Sequence, residues 1–142
     1  MRHINSLTNP LIKSLRSLHE RKRRRQSGLF LAEGARIVTE ALELGWVPEV
    51  LVFLEGREDD RIISRLIRMA TDHGADIVMV SESVLAKISR KDNPQMVLAT
   101  FKEHMADISQ VFAPKDAASD HVWVVLDRVR DPGNLGTILR TV

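Results

Sequence analysis

The 142-residue chain carries 21 Lys and Arg against 19 Asp and Glu, with six aromatic residues, no Tyr and no Cys. That length suits about one domain with a real core, and the absence of Cys removes disulfides, thiolate metal sites and Cys nucleophiles together. No apolar run approaches the roughly 18 residues of a membrane span, and Met1–Asn5 lacks a signal-peptide stretch, so a soluble cytoplasmic protein is expected. The net charge of +2 hides an asymmetry: residues 1–25 carry eight basic side chains and one acid, whereas residues 26–142 carry 13 basic and 18 acidic ones.

In chain order, Asn9-Pro10 signals a helix start, because Asn can cap an orphan N–H and Pro at the first helical position has none to lose. Leu11, Leu15 and Leu18 follow at spacings of four and three, with Ile12 beside them, and predict an apolar stripe. The run Arg21-Lys22-Arg23-Arg24-Arg25 is expected in the last turns of this same helix, facing its negative end, with Gly28 as terminator. A strand is expected over Leu29–Ala32. A helix over Ala35–Leu44 should turn Ile37, Val38, Ala41 and Leu42 inward before Gly45 stops it. Val50–Phe53 reads as a strand, and Asp59–His73 as a helix with Ile62, Ile63, Leu66, Ile67 and Ala70 on one face. Asp76–Val80 reads as a strand, Ser81 caps a short helix through Ile88, and Met96–Phe101 is another strand. Helices alternating with apolar runs indicate a largely parallel sheet covered on both faces, an α/β fold.

Residues 102–120 break that rhythm, and Ala113–Asp120, with Pro114, small residues and charges, makes a good linker. His121–Leu126 then reads as a new buried strand, Asp127–Gly133 as a loop, and Asn134 or Gly136 as the opening of a final helix through Arg140. The expected division is a domain over 1–104, a linker over 105–120, and the first strand–loop–helix of a second α/β domain over 121–142. A strand ending in Asp, a Pro/Gly turn and a helix start is where open α/β sheets bind ligands. From spacing alone, however, a tight structural turn with a solvated Arg140 is the default reading.

The run Leu126-Asp127-x-x-x-Asp131-Pro132-x-Asn134-x-Gly136-x-x-x-Arg140 resembles the first motif of the SpoU-type (TrmH-like) RNA 2′-O-ribose methyltransferases. Three upstream blocks resemble that family's substrate-recognition domain in the same order: Asn9-Pro10-x-x-Lys13, Phe30-Leu31-Ala32-Glu33-Gly34, and Asn93-Pro94-Gln95-Met96-Val97-Leu98-Ala99. Met96 stands where the family usually has Gly, which puts a close backbone approach there in doubt.

The resemblance implies a ribosomal-protein-like RNA-binding domain followed by the first βα unit of a knotted α/β methyltransferase domain. It further implies S-adenosylmethionine as methyl donor, structured RNA, expected to be ribosomal, as partner, and a homodimer of the full-length enzyme. Asn134 would shape the active site. Arg140 would help activate the ribose 2′-hydroxyl, by charge stabilisation rather than proton abstraction, since a guanidinium is a poor base. The family's methyl-donor motifs lie about a hundred residues beyond the first one. A fragment is therefore expected, inactive alone and without the donor's pocket.

Arg21, Lys22, Arg23, Arg24 and Arg25 are the expected RNA contacts, since five consecutive cations face every direction around a helix and packing does not explain them. Lys13 joins them through the first block. Few aromatics interleave with the run, which favours phosphate gripping over base stacking. Glu33-Gly34 is read as structural, a cap or dipole partner of the following helix. His3, His19, His73, His104 and His121 show no zinc spacing, so no metal is expected. Trp46 and Trp123 are expected as core or interface anchors, and Met69, Met79, Met96 and Met105 as core filler. Asp127 and Asp131 are expected to bond their own turn rather than act as an acid/base pair. Two rival readings stand beside the enzyme: a non-catalytic ribosomal-protein-like RNA-binding module, and a small nucleotide-binding α/β domain, which lacks a phosphate-loop signature.

Overall fold

A computed structural model describes residues 1–104, 107 and 124–141. By internal packing the chain divides into two units, 1–105 and 106–142.

In the first unit the apolar runs become strands β1 (Arg2–Ile4), β2 (Leu29–Glu33), β3 (Pro48–Leu54), β4 (Asp76–Val80) and β5 (Val97–Lys102). They form one sheet in the order β1-β4-β3-β5-β2. β1 and β3 run parallel to β4, whereas β5 is antiparallel to both β3 and β2. The sheet is therefore mixed rather than largely parallel. β5 lies between two neighbours with its first five residues buried, and a strand covered on both faces is apolar whichever way it runs. β1 has no counterpart in the sequence reading. Three residues with one buried side chain carry no pattern. The strand is fixed instead by its ladder to β4, by an ion pair joining Arg2 to Asp76 and by a hydrogen bond between His3 Nε2 and Glu55 Oε2.

Helices α1 (Pro10–Ser17) and α5 (Glu82–Ser89) cover one face of the sheet. Ile12, Leu15, Val84, Leu85 and Ile88 meet Val52, Val78, Val80 and Leu98 there. Helices α3 (Ala35–Glu43) and α4 (Arg61–Asp72) cover the other, where Val38, Leu42, Ile63, Leu66 and Ala70 pack on Leu51, Phe53, Ala99 and Phe101. Asn9 caps α1 by accepting from the Leu11 N–H, and Asp60 caps α4 by accepting from Ile62 and Ile63 N–H. Ser81 occupies the cap position of α5 without a side-chain cap bond.

Three expectations about side chains are corrected. Ile37 and Ile62, expected inward, are 52% and 54% exposed, because each sits about 100° around its helix from the buried Val38 or Ile63. Met96 is 43% exposed rather than core filler. Its backbone is outside the positive-φ region, so the strand start needs no glycine, and its C=O accepts from the Leu54 N–H at 2.9 Å. Trp46 is an anchor as expected: it packs edge-on against Phe30 and Phe101, at centroid distances of 5.9 and 6.2 Å. Met105 and Trp123 lie outside the described residues.

The second unit contains helix α6 (Pro132–Thr141). It starts earlier than Asn134. Asp131 Oδ1 accepts from the Asn134 N–H at 2.8 Å and Pro132 takes the first helical position, an Asp-Pro start of the kind proposed for Asn9-Pro10. Of the expected strand His121–Leu126, residues 121–123 lie outside the described set. Val124–Leu126 form no strand, and Val125 is 89% exposed. A β run needs a ladder partner to satisfy its backbone, and none is present among the described residues.

Candidate nucleic-acid interface and catalytic turn

The basic run does not extend α1. The chain tightens after Ser17 through bonds from Leu18 to Leu15 O and from Glu20 to Ser17 O, and Glu20 is extended at φ −86° and ψ 125°. A new helix, α2 (Arg21–Ser27), then begins and ends on Gly28, whose φ of 65° is the left-handed terminator foreseen there. The break changes the electrostatics. Arg21, Lys22 and Arg23 now crowd the positive end of α2, where cations are unfavourable, and only Arg24 and Arg25 lie in its last turn. α2 buries no residue. Its own physics disfavours this charge pattern, so an external anion is the natural stabiliser.

Within α2 the five cations separate. Arg24 is half-buried and turns inward, donating through Nη1 to the carbonyls of Leu18 and His19 at 2.9 and 3.0 Å. It closes the α1–α2 junction. Arg21, Lys22 and Arg25 are exposed; Arg23 is exposed and reaches Gln26 Oε1 at 3.3 Å. Lys13 is exposed on α1. His19 Nε2 donates to Ile88 C=O at 2.6 Å, tying the same junction to the last turn of α5.

Glu33 acts differently from a helix cap. Its side chain is 9% exposed, and its carboxylate accepts from Ser89 Oγ at 2.7 Å, from the Gln95 N–H at 3.1 Å, and pairs with Lys91 Nζ at 3.2 Å. The Phe30–Gly34 block thus holds the loop that leads into the Asn93–Ala99 block. Gly34 has φ +116°, its N–H bonds Val97 O, and a Cβ there would lie 3.7 Å from Gln95 Cγ. Two blocks some sixty residues apart in sequence form one bonded cluster.

In the second unit, Asn134 lines an open concavity of about 480 Å³ together with Asp127, Arg128, Arg130, Asp131 and Thr137. Arg140 is not among its lining residues. Its guanidinium folds back along α6, with Nη1 3.2 Å from where a Cβ at Gly136 would stand. Gly136 leaves room for that conformation. Asn134 and Arg140 are therefore not brought together, in keeping with their six-residue spacing. Among the described residues no cluster of His, Asp and Glu could hold a metal ion, and no helix is long and apolar enough to cross a membrane.

The mixed sheet with helices on both faces is that of an α/β domain, and it carries the basic helix α2 beside it. Residues 9–99 match the family model of the MRM3-like substrate binding domain, and the chain belongs to that family. Its homologues are SpoU-family rRNA 2′-O-methyltransferases. The 23S rRNA (guanosine(2553)-2′-O)-methyltransferase RlmP of Bacillus subtilis is 34% identical over 142 residues, covering 99% of this chain and 50% of RlmP. The human mitochondrial rRNA methyltransferase 3 is 30% identical over 122 residues, covering 83% of this chain and 27% of its own length. A crystal structure of AdoMet-bound rRNA methyltransferase from Sinorhizobium meliloti superposes with a TM-score of 0.78 at 37% identity, covering 98% of this chain and 49% of that one. The chain spans about half the length of the curated relatives that match it along its whole length.

Proposed function

We propose that residues 1–104 recognise structured ribosomal RNA in the cytoplasm for an S-adenosylmethionine-dependent 2′-O-ribose methyltransferase. Residues 121–142 would open its catalytic domain, knotted and homodimeric in the full-length enzyme. The observation that carries this reading is α2: five cations in seven residues, none buried, three of them against their own helix dipole. RNA phosphates reverse that penalty, and they do so without base stacking. Arg21, Lys22, Arg23, Arg25 and Lys13 make the contacts, while Arg24 holds the helix in place.

Asn134 and Arg140 belong to the chemical step. A ribose 2′-hydroxyl losing its proton develops negative charge, and the Arg140 guanidinium stabilises it as a fixed cation. The residues described do not fit the methyl donor itself. An adenosyl cofactor is enclosed over most of its surface, whereas none of the residues lining the concavity beside Asn134 is buried. The described residues therefore offer that group no enclosed seat, and the 142-residue chain is inactive on its own.

Filter binding of the 142-residue chain to protein-free ribosomal RNA across a salt series tests the reading. Replacing Arg21, Lys22, Arg23 and Arg25 by Gln, with Arg24 kept, should weaken binding and lower the salt slope by about 1 for each phosphate no longer neutralised. An unchanged slope would move the RNA elsewhere on the molecule.

A further inference from the structure

The two helical faces of the sheet differ in charge. On one, residues 10–20 and 82–92, which hold α1 and α5, carry +2, and residues 21–27, which form α2 and bond to the α1 end through Arg24, add +5. Residues 35–47 and 57–73, which hold α3 and α4, carry −1. They differ equally in apolar exposure. None of the exposed large hydrophobic side chains lies on α1, α2 or α5, whereas Ile37, Leu44, Val47 and Ile62 lie on α3, just after it, and on α4. A positive surface with no apolar side chains to insert suits a phosphate chain rather than a lipid bilayer.

The positive charge on that face is continuous across a bonded junction. His19, between α1 and α2, is hydrogen-bonded to Ile88 C=O, two residues before Arg90. Arg90 is exposed and holds φ 59° at the C-terminus of α5, a left-handed position that ordinarily selects Gly. The backbone there gains nothing from a long, charged side chain. Among the described residues neither Arg90 nor Lys87 has an ion-pair or side-chain hydrogen-bond partner, while neighbouring Lys91 is taken by Glu33. The Glu33 carboxylate pins the loop that follows, so Arg90 is displayed from a fixed base.

We infer that the RNA phosphate track runs from α2 across the α1–α5 junction to the C-terminal end of α5, where Lys87 and Arg90 are further contacts. This rests on the RNA reading given above and extends it to residues that no sequence motif marks. The other face, with its mixed charges and apolar side chains, stays clear of RNA.

The test uses the 142-residue chain and, as probe, protein-free ribosomal RNA cut to short labelled fragments, read by fluorescence anisotropy. The double variant Lys87→Gln/Arg90→Gly should bind about 5- to 20-fold more weakly near 0.1 M salt, with its salt slope lower by roughly 1.5 to 2. Its Tm should stay level or rise, because Gly suits the left-handed position. Arg61→Gln/Arg68→Gln, on α4, should change affinity less than about twofold. Wild-type affinity and slope in the Lys87/Arg90 variant, with binding weakened in the α2 variant, would overturn the inference while leaving the RNA reading intact. Failure of the unaltered chain to bind RNA would overturn both. A variant that no longer binds phosphatidylserine vesicles but keeps its RNA affinity would assign the face to membranes and overturn the inference too.

Discussion

Glu33 shows how a motif residue can be structural without being a cap. Its side chain is nearly buried and satisfies three partners from the α5–β5 connection: Ser89, Gln95 and Lys91. The Lys91 ion pair is half in solvent and contributes little, but Ser89 is 2% exposed and needs its acceptor. Glu33→Ala should therefore destabilise the first unit by about 2–3 kcal/mol in urea unfolding, and Glu33→Gln by about 1 kcal/mol, because an amide oxygen still accepts. A change below about 0.5 kcal/mol for the Ala variant would show that the loop does not depend on this carboxylate. The structural role of Glu33 was legible in the sequence; its partners were not, because they lie 56 and 62 residues away. The same holds for Arg24. It looks like its four basic neighbours until the carbonyls of Leu18 and His19 are placed beside it.

Elements were legible where local chemistry decides and obscure where neighbours decide. Asn9-Pro10, Gly28 and the stretch before Gly45 mark boundaries through capping and left-handed backbone, which a single sequence carries. The direction of β5 and the existence of β1 depend on ladder partners, and the α1–α2 break depends on burying Leu18, so periodicity alone misses them. Helix faces fall between. Adjacent isoleucines on α4 read as one stripe, yet Ile63 is 3% exposed and Ile62 is 54% exposed. Truncating Ile63 to Ala should cost about 2–4 kcal/mol, from the packing removed and the cavity left behind. Ile62→Ala should cost less than about 1 kcal/mol, since a half-solvated side chain has little packing to lose. Equal costs, measured by chemical denaturation, would mean that a second surface covers Ile62 in solution.

At the scale of the whole molecule, recognition and chemistry are assigned to different units, and that separation is itself testable. The cations proposed for RNA lie on the outside of a complete sheet with two packed cores, whereas Asn134 and Arg140 sit on a helix that buries nothing. Calorimetric titration of the 142-residue chain with S-adenosylmethionine should accordingly give no binding heat; micromolar affinity would mean that residues 124–141 already form a pocket. In a protein carrying the entire catalytic domain, Arg140→Ala should lower kcat by about a hundredfold or more, the decrease associated with removing one group that stabilises developing oxyanion charge. Its RNA affinity should stay within about twofold, because the cations proposed to bind phosphate remain on the first unit. The proposed α2 variant should show the reverse, raising KM for RNA while leaving the methyl-transfer step near its normal rate at saturation. If Arg140→Ala weakened RNA binding as much as turnover, the guanidinium would be a phosphate ligand, and the developing alkoxide would need another cation. The sequence places Asn134 and Arg140 too far apart on one helix to share a face, and the folded helix keeps them apart. Under the proposed reading Arg140 would act from the edge of the site, where a cation can meet both the 2′-oxygen and the adjoining phosphate.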